Sequence, residues 1–179
     1  MTDWLPETAA RAEEQLQRWR LVARLADDFF DNVARSHGDQ MACQPGCTEC
    51  CHPALSVVRV EALAILLALS RLTDAERAPL RAAAADAGRA RCPLLGPDLR
   101  CAVYPLRPLI CRTHGLPVLQ DEGVSLCSLN FADGIPEDAV LDGTVLAAQL
   151  GVVDAMIGGG PRVLIAELVL EGAAALARR

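Results

Sequence analysis

The chain has 179 residues, 52% of them hydrophobic and only 3% aromatic, so a single domain spanning 1–179 has ample material for a core built from Leu, Ala and Val. A net charge of −6 with no Lys/Arg-dense stripe argues against a nucleic-acid partner, because phosphate binding rests on clustered positive charge. All 17 basic residues are Arg, which removes Schiff-base and P-loop lysine chemistry, and G-x-S-x-G, H-E-x-x-H and Gly-rich phosphate motifs are missing too.

The opening MTDWLPE is acidic and lacks a basic start and an apolar h-region, so no export signal is expected. The most apolar uncharged run, Ala62 to Ser70, is far short of the roughly 20 residues of a membrane helix, and a cytoplasmic protein with no membrane partner is expected. From Glu7 to Arg35, Leu16, Trp19, Val22, Ala26, Phe29 and Val33 recur every three or four residues, which predicts a helix about 43 Å long with one apolar face. Ser36-His37-Gly38 stops it, and His37 suits a helix C-terminus. A buried helix is expected over 60–72. Thr73 and Glu76 then form a capping box for another running to about Arg89, in which Pro79 introduces a kink. Five prolines between Pro93 and Pro117 exclude long regular elements, leaving at most a small hairpin of Leu94-Leu95 with Cys101 to Tyr104 around Gly96-Pro97-Asp98. Pro136 opens a helix over 137–157, Gly158-Gly159-Gly160 breaks it, and Pro161 starts a last one to Ala177. The fold class is therefore mainly α: helical scaffold at both ends around an irregular Cys/Pro-rich metal-binding centre, residues 43–127.

That centre carries Cys43, Cys47, Cys50, Cys51, Cys92, Cys101, Cys111 and Cys127. The first four read CQPGCTECC, and a core has no need of so many thiols within nine positions, whereas a metal site does. Disulfides are the minor alternative, since nothing points to an oxidising compartment. Cys127, isolated in SLCSLNF, also reads as a small buried hydrophobe. His52 and His114 lie close to these ligands but sit beside Pro and Gly, so a loop-surface or supporting role is favoured over ligation. Arg107 and Arg112 flank Cys111 and are expected to face the anionic cofactor. Trp19, Phe29 and Phe30 read as core or interface.

The cluster at 43–51, the following Cys92-Pro93-Leu94-Leu95 and the run CAVYPLRPLICR from Cys101 to Arg112 resemble the CxxCxxCC, or YkgJ-type, proteins, which are described as zinc- or iron-chelating. The resemblance covers 43–127 and implies a cytosolic metal-binding protein. Where the family often has a Gly before the cysteine matched to Cys101, this chain has Leu99-Arg100.

Eight cysteines suffice by count for two tetrathiolate zinc sites. Adjacent Cys50 and Cys51 are expected to diverge, as side chains do along a helix or strand, and so to serve different metal atoms. Divergent ligands favour an iron-sulfur cluster over zinc, and the local C-x3-C-x2-C spacing is one that radical-SAM enzymes use for such a cluster. Their barrel, however, has no counterpart in this chain. Two readings stay open: an iron-sulfur protein for redox or open-site chemistry with a redox partner, and a zinc-binding or metal-handling module whose long first helix presents a partner face. Ala-rich helices leave a homodimer open.

Overall fold

The computed structural model describes residues 8–172. Helix α1 (Ala9–His37) starts where the Thr8 hydroxyl accepts the Arg11 N–H at 3.2 Å, and it ends at Gly38. The expected start at Glu7 lies outside the described residues. Ala12, Leu16, Trp19, Val22, Ala23, Ala26 and Val33 are buried along one face, as the spacing predicts. Phe29 and Phe30 pack against a second, smaller apolar cluster of Val33, Leu116, Phe131 and Ala139.

Helix α2 (Arg59–Ser70) buries every residue from Val60 to Leu67, and Leu69. It is apolar all round because it is covered all round, by α1, by α5 (Gly143–Ala155) and by a π-helical turn at Leu168–Gly172. Val58 supplies no side-chain cap. The Val60 N–H is instead satisfied by buried Asp154 of α5 at 2.8 Å, a cap borrowed from across the fold. Helix α3 (Asp74–Ala85) has the predicted capping box: Glu76 N–H donates to Thr73 Oγ1 at 3.3 Å and Thr73 N–H to Glu76 Oε2 at 2.7 Å. It carries Pro79 and stops four residues earlier than Arg89.

The helix expected over 137–157 is shorter. Glu137–Ala139 is a 3-10 turn, and Leu141–Asp142 forms strand β4, parallel to β2 (Val118–Gln120). The pairing takes the chain away from Pro136, and α5 begins at Gly143, where Asp142 Oδ1 accepts from Thr144 N and Val145 N at 3.0 Å each. A Cβ at Gly143 would lie 2.5 Å from Val118 Cγ1 and 2.7 Å from Leu119 O, so this close crossing requires glycine. Gly158-Gly159-Gly160 breaks the chain as expected, each residue with positive φ. The last predicted helix is replaced at its start by β5 (Val163–Leu164), which pairs antiparallel with β1 (Ser56–Val57), and by the three-residue α6 (Ile165–Glu167). Its predicted end lies outside the described residues.

The hairpin expected at 94–104 is reduced to one antiparallel bridge, Leu95 to Cys101, with Gly96 N–H to Arg100 O and Ala102 N–H to Leu94 O, both 2.8 Å. Leu99 takes a left-handed φ of 59°. A regular hairpin forms later, β2 with β3 (Gly123–Ser125). The protein is thus mainly α, with small sheets of two and three strands. Among the described residues no helix is long and apolar enough to cross a membrane.

Candidate metal centre

All eight cysteines are free thiols, brought together from distant segments. The Cys51 carbonyl accepts the Cys92 N–H at 3.0 Å, which fastens the first cluster to the Cys92 segment, and the Leu95–Cys101 bridge carries Cys101 alongside. Cys111 lies on the short helix α4 (Leu109–Thr113), whose first N–H donates to the buried carboxylate of Glu61, on α2, at 2.7 Å. These contacts gather an inner group of Cys50, Cys51, Cys92, Cys101 and Cys111, near enough for their charges to repel: Cys51 feels Cys92, Cys101 and Cys111, and Cys50 acts on all of these three. An outer group comprises Cys43, Cys47 and Cys127. Cys43 feels both of the others, and Cys50 least.

The side chains of Cys50 and Cys51 do not diverge. Their sulfurs are 4.0 Å apart, because Cys50 occupies a turn closed by Cys51 N–H to Thr48 O at 2.9 Å, and the alternation of a regular helix or strand does not hold there. The contact splits their acidities. Cys50 is raised by its hydrogen bond to Cys51 and then by burial, while the same bond lowers Cys51, so Cys51 ionises first. Burial raises Cys43, Cys101 and Cys111, and pushes Cys92 up to about 11. Backbone amides oppose this: Leu94 N–H favours the Cys92 thiolate and Val103 N–H that of Cys101. Buried thiols that amides are already placed to receive as anions fit a cationic soft metal, which displaces their protons on binding. Among the described residues, no three Cys, His, Asp or Glu side chains stand where they would hold one ion together without rearrangement.

The two arginines have separate jobs. Arg107 donates to Asp27 Oδ1 at 2.9 Å and stacks over Tyr104 at 4.2 Å, and its charge favours the thiolates of Cys50 and Cys101. Arg112 is 4% exposed, and its bonds go to Arg107 O at 2.8 Å, Pro105 O at 2.7 Å and the Asp27 carboxylate, with its head 5.4 Å over the Trp19 ring. It latches α4 to α1. Beside that latch lies an open groove of about 790 Å³, lined by Trp19, Arg24, Asp27 and Leu106 among others and by no cysteine.

The histidines and one asparagine complete the site. His52 and His114 meet edge to face, 6.0 Å between centroids, and burial lowers the pKa of His114, which keeps its ring neutral. Its Nε2 is buried with no hydrogen-bond partner, a state that typically costs about 1–3 kcal/mol. Asn130, 2% exposed, was not legible as a site residue: its Nδ2 donates to Gly115 O at 2.7 Å and to Cys43 Sγ at 3.5 Å, while Oδ1 accepts Ala42 N–H at 2.8 Å. Glu61 was missed as well. Neither has a local motif, since both work through segments far away in the chain.

Residues 42–126 match the model of the CxxCxxCC family, described as a "Putative zinc- or iron-chelating domain". No curated protein and no solved structure matches the chain. The match spans seven of the eight cysteines and leaves Cys127 one position beyond its end. The thiol-bearing centre is thus the part of the chain that is similar to a zinc- or iron-chelating domain, and it is set in a helical scaffold.

Proposed function

We propose that the protein holds an iron-sulfur cluster in the inner thiol group and uses it for electron transfer, with the helices as an insulating scaffold. The observation that carries this reading is the convergence of Cys50, Cys51, Cys92, Cys101 and Cys111, one more thiol than a lone tetrahedral ion takes. Several irons bridged by sulfide provide separate attachment points for ligands arriving from separate segments. When bound, such a cluster supplies reversible one-electron chemistry. The chain's own contribution is to strip water from the sulfurs, to direct the Leu94 and Val103 amides at them, and to place the Arg107 charge beside Cys50 and Cys101. The domain would sit in the cytoplasm and meet a redox partner protein.

Zinc is the second reading, favoured by the 4.0 Å between the Cys50 and Cys51 sulfurs, close to the roughly 3.8 Å between thiolates on one tetrahedral zinc with 2.3 Å bonds. Protein purified anaerobically after growth with ample iron should be brown, absorb in the visible thiolate-to-iron region and release sulfide on acidification. Colourless protein with stoichiometric zinc and no sulfide would reverse the assignment in favour of zinc.

A further inference from the structure

Cys50 and Cys51 are neighbours in the chain whose sulfurs meet at 4.0 Å, and among the described residues no other pair of sulfurs is hydrogen-bonded. The meeting is built into the backbone. Thr48 O accepts the Cys51 N–H at 2.9 Å and an Arg91 guanidinium N–H at 3.1 Å, and Arg91 also pairs with the Glu49 carboxylate at 3.6 Å. The Cys51 carbonyl accepts the Cys92 N–H at 3.0 Å, so residues 91 and 92 together clamp the turn that carries both thiols. Both side chains are half-buried, which leaves them within reach of a small oxidant. We infer that this pair is a redox modification site: in metal-free protein a hydroperoxide converts it to a Cys50–Cys51 disulfide, which closes the inner thiol group to metal. One sulfur attacks the peroxide oxygen and becomes a sulfenic acid, with water leaving when the oxidant is hydrogen peroxide. The second sulfur then attacks the sulfenic sulfur and expels another water. Two thiols thereby lose two hydrogens and two electrons, and the peroxide is reduced to two waters. Because the thiols are neighbours, the bond needs only this local turn and not the rest of the centre. Adjacent Cα atoms lie about 3.8 Å apart, closer than the roughly 4.4–6.8 Å that disulfides usually span, so the product is strained and a dithiol reduces it readily. Metal is bound by thiolate, which neither sulfur of a disulfide offers. That consequence rests on the thiolate reading above, whereas formation of the bond does not.

The test treats the full chain, stripped of metal and fully reduced, with one equivalent of hydrogen peroxide at neutral pH. The remaining thiols are then alkylated and mapped by mass spectrometry, in wild type, Cys50→Ser, Cys51→Ser and Arg91→Gln. Wild type should show Cys50 and Cys51 unalkylated within one peptide that is lighter by two hydrogens, with the other thiols alkylated. Dithiothreitol should make both available again. Each Ser variant should instead hold a sulfenic acid on the remaining neighbour, trapped by dimedone, and Arg91→Gln, with the clamp released, should form the bond several-fold more slowly. Uptake of added iron or zinc should fall in the oxidised wild type and return on reduction. Cys50 and Cys51 that both stay alkylatable, or either one joined to a different cysteine, would overturn the inference. So would oxidised protein that takes up as much metal as the reduced form. If the reduced chain takes up no metal at all, the thiolate reading fails, and the mass map still decides the disulfide.

Discussion

Helix α2 buries Val60 to Leu67 without interruption, whereas between Cys92 and Cys127 the longest regular element is the five-residue α4. The first region is ordered by apolar surface removed from water, at roughly 25 cal/mol per Å². In the second region, isolated hydrogen bonds link the chain to other segments: Cys92 to Cys51, Leu109 to Glu61, Leu141 to Pro117. Such bonds add only about 1 kcal/mol each, and beside them only scattered side chains such as Leu94, Val103, Leu109 and Leu116 reach the apolar clusters, little to fix so much irregular chain. The contrast predicts a scaffold that forms by itself and a centre that needs both the scaffold and metal.

Removing metal should break this comparison open most widely, since thiolate sites contribute about 10–16 kcal/mol to the folding of small zinc domains. After chelation, hydrogen exchange should accelerate strongly across 92–127 and remain slow in α1 and α2. Equal protection with and without metal would mean that the centre holds itself. Next in size, Leu63→Ala, at a fully buried position of α2, should cost about 2–5 kcal/mol in denaturant unfolding, by a similar amount in the metal-bound and metal-free protein. A cost confined to the bound form would tie the scaffold to the metal.

The pH dependence sharpens the same contrast. Cys92 has its pKa raised from 9.0 to about 11 in the fold, so the folded state holds the proton more tightly than the unfolded chain. Its contribution is therefore present below pH 9 and lost between 9 and about 11, about 2–3 kcal/mol for this thiol in the metal-free protein. Thermal melts across that range should fall for metal-free protein and stay flatter for the loaded one, whose thiolates are already formed. Identical profiles would contradict it. The smallest effect belongs to Leu99, 53% exposed with φ 59°, where Leu99→Gly should gain about 0.5–1 kcal/mol by relieving the left-handed backbone, visible as a higher denaturation midpoint.

Legibility followed the same division. The α1 stripe, the Thr73–Glu76 box and the glycine break are local signals and could be read directly. The start of α5 could not, because a pairing between Leu141 and Val118 and the cap from Asp142 prevail over the helix-opening Pro136. The eight thiols announced themselves by composition, and one segment of the chain carried the family resemblance. Their division into groups did not, since it depends on the turn at Cys50, on Asn130 reaching Cys43 and on Glu61 holding α4.

The division of the thiols into an inner and an outer group can be read directly from metal content across single Cys→Ser variants. Variants at Cys50, Cys51, Cys92, Cys101 and Cys111 should lose one common share of metal, and variants at Cys43, Cys47 and Cys127 should not lose that share. If every variant lost all the metal together, or each lost a different amount, the two-group arrangement would be contradicted.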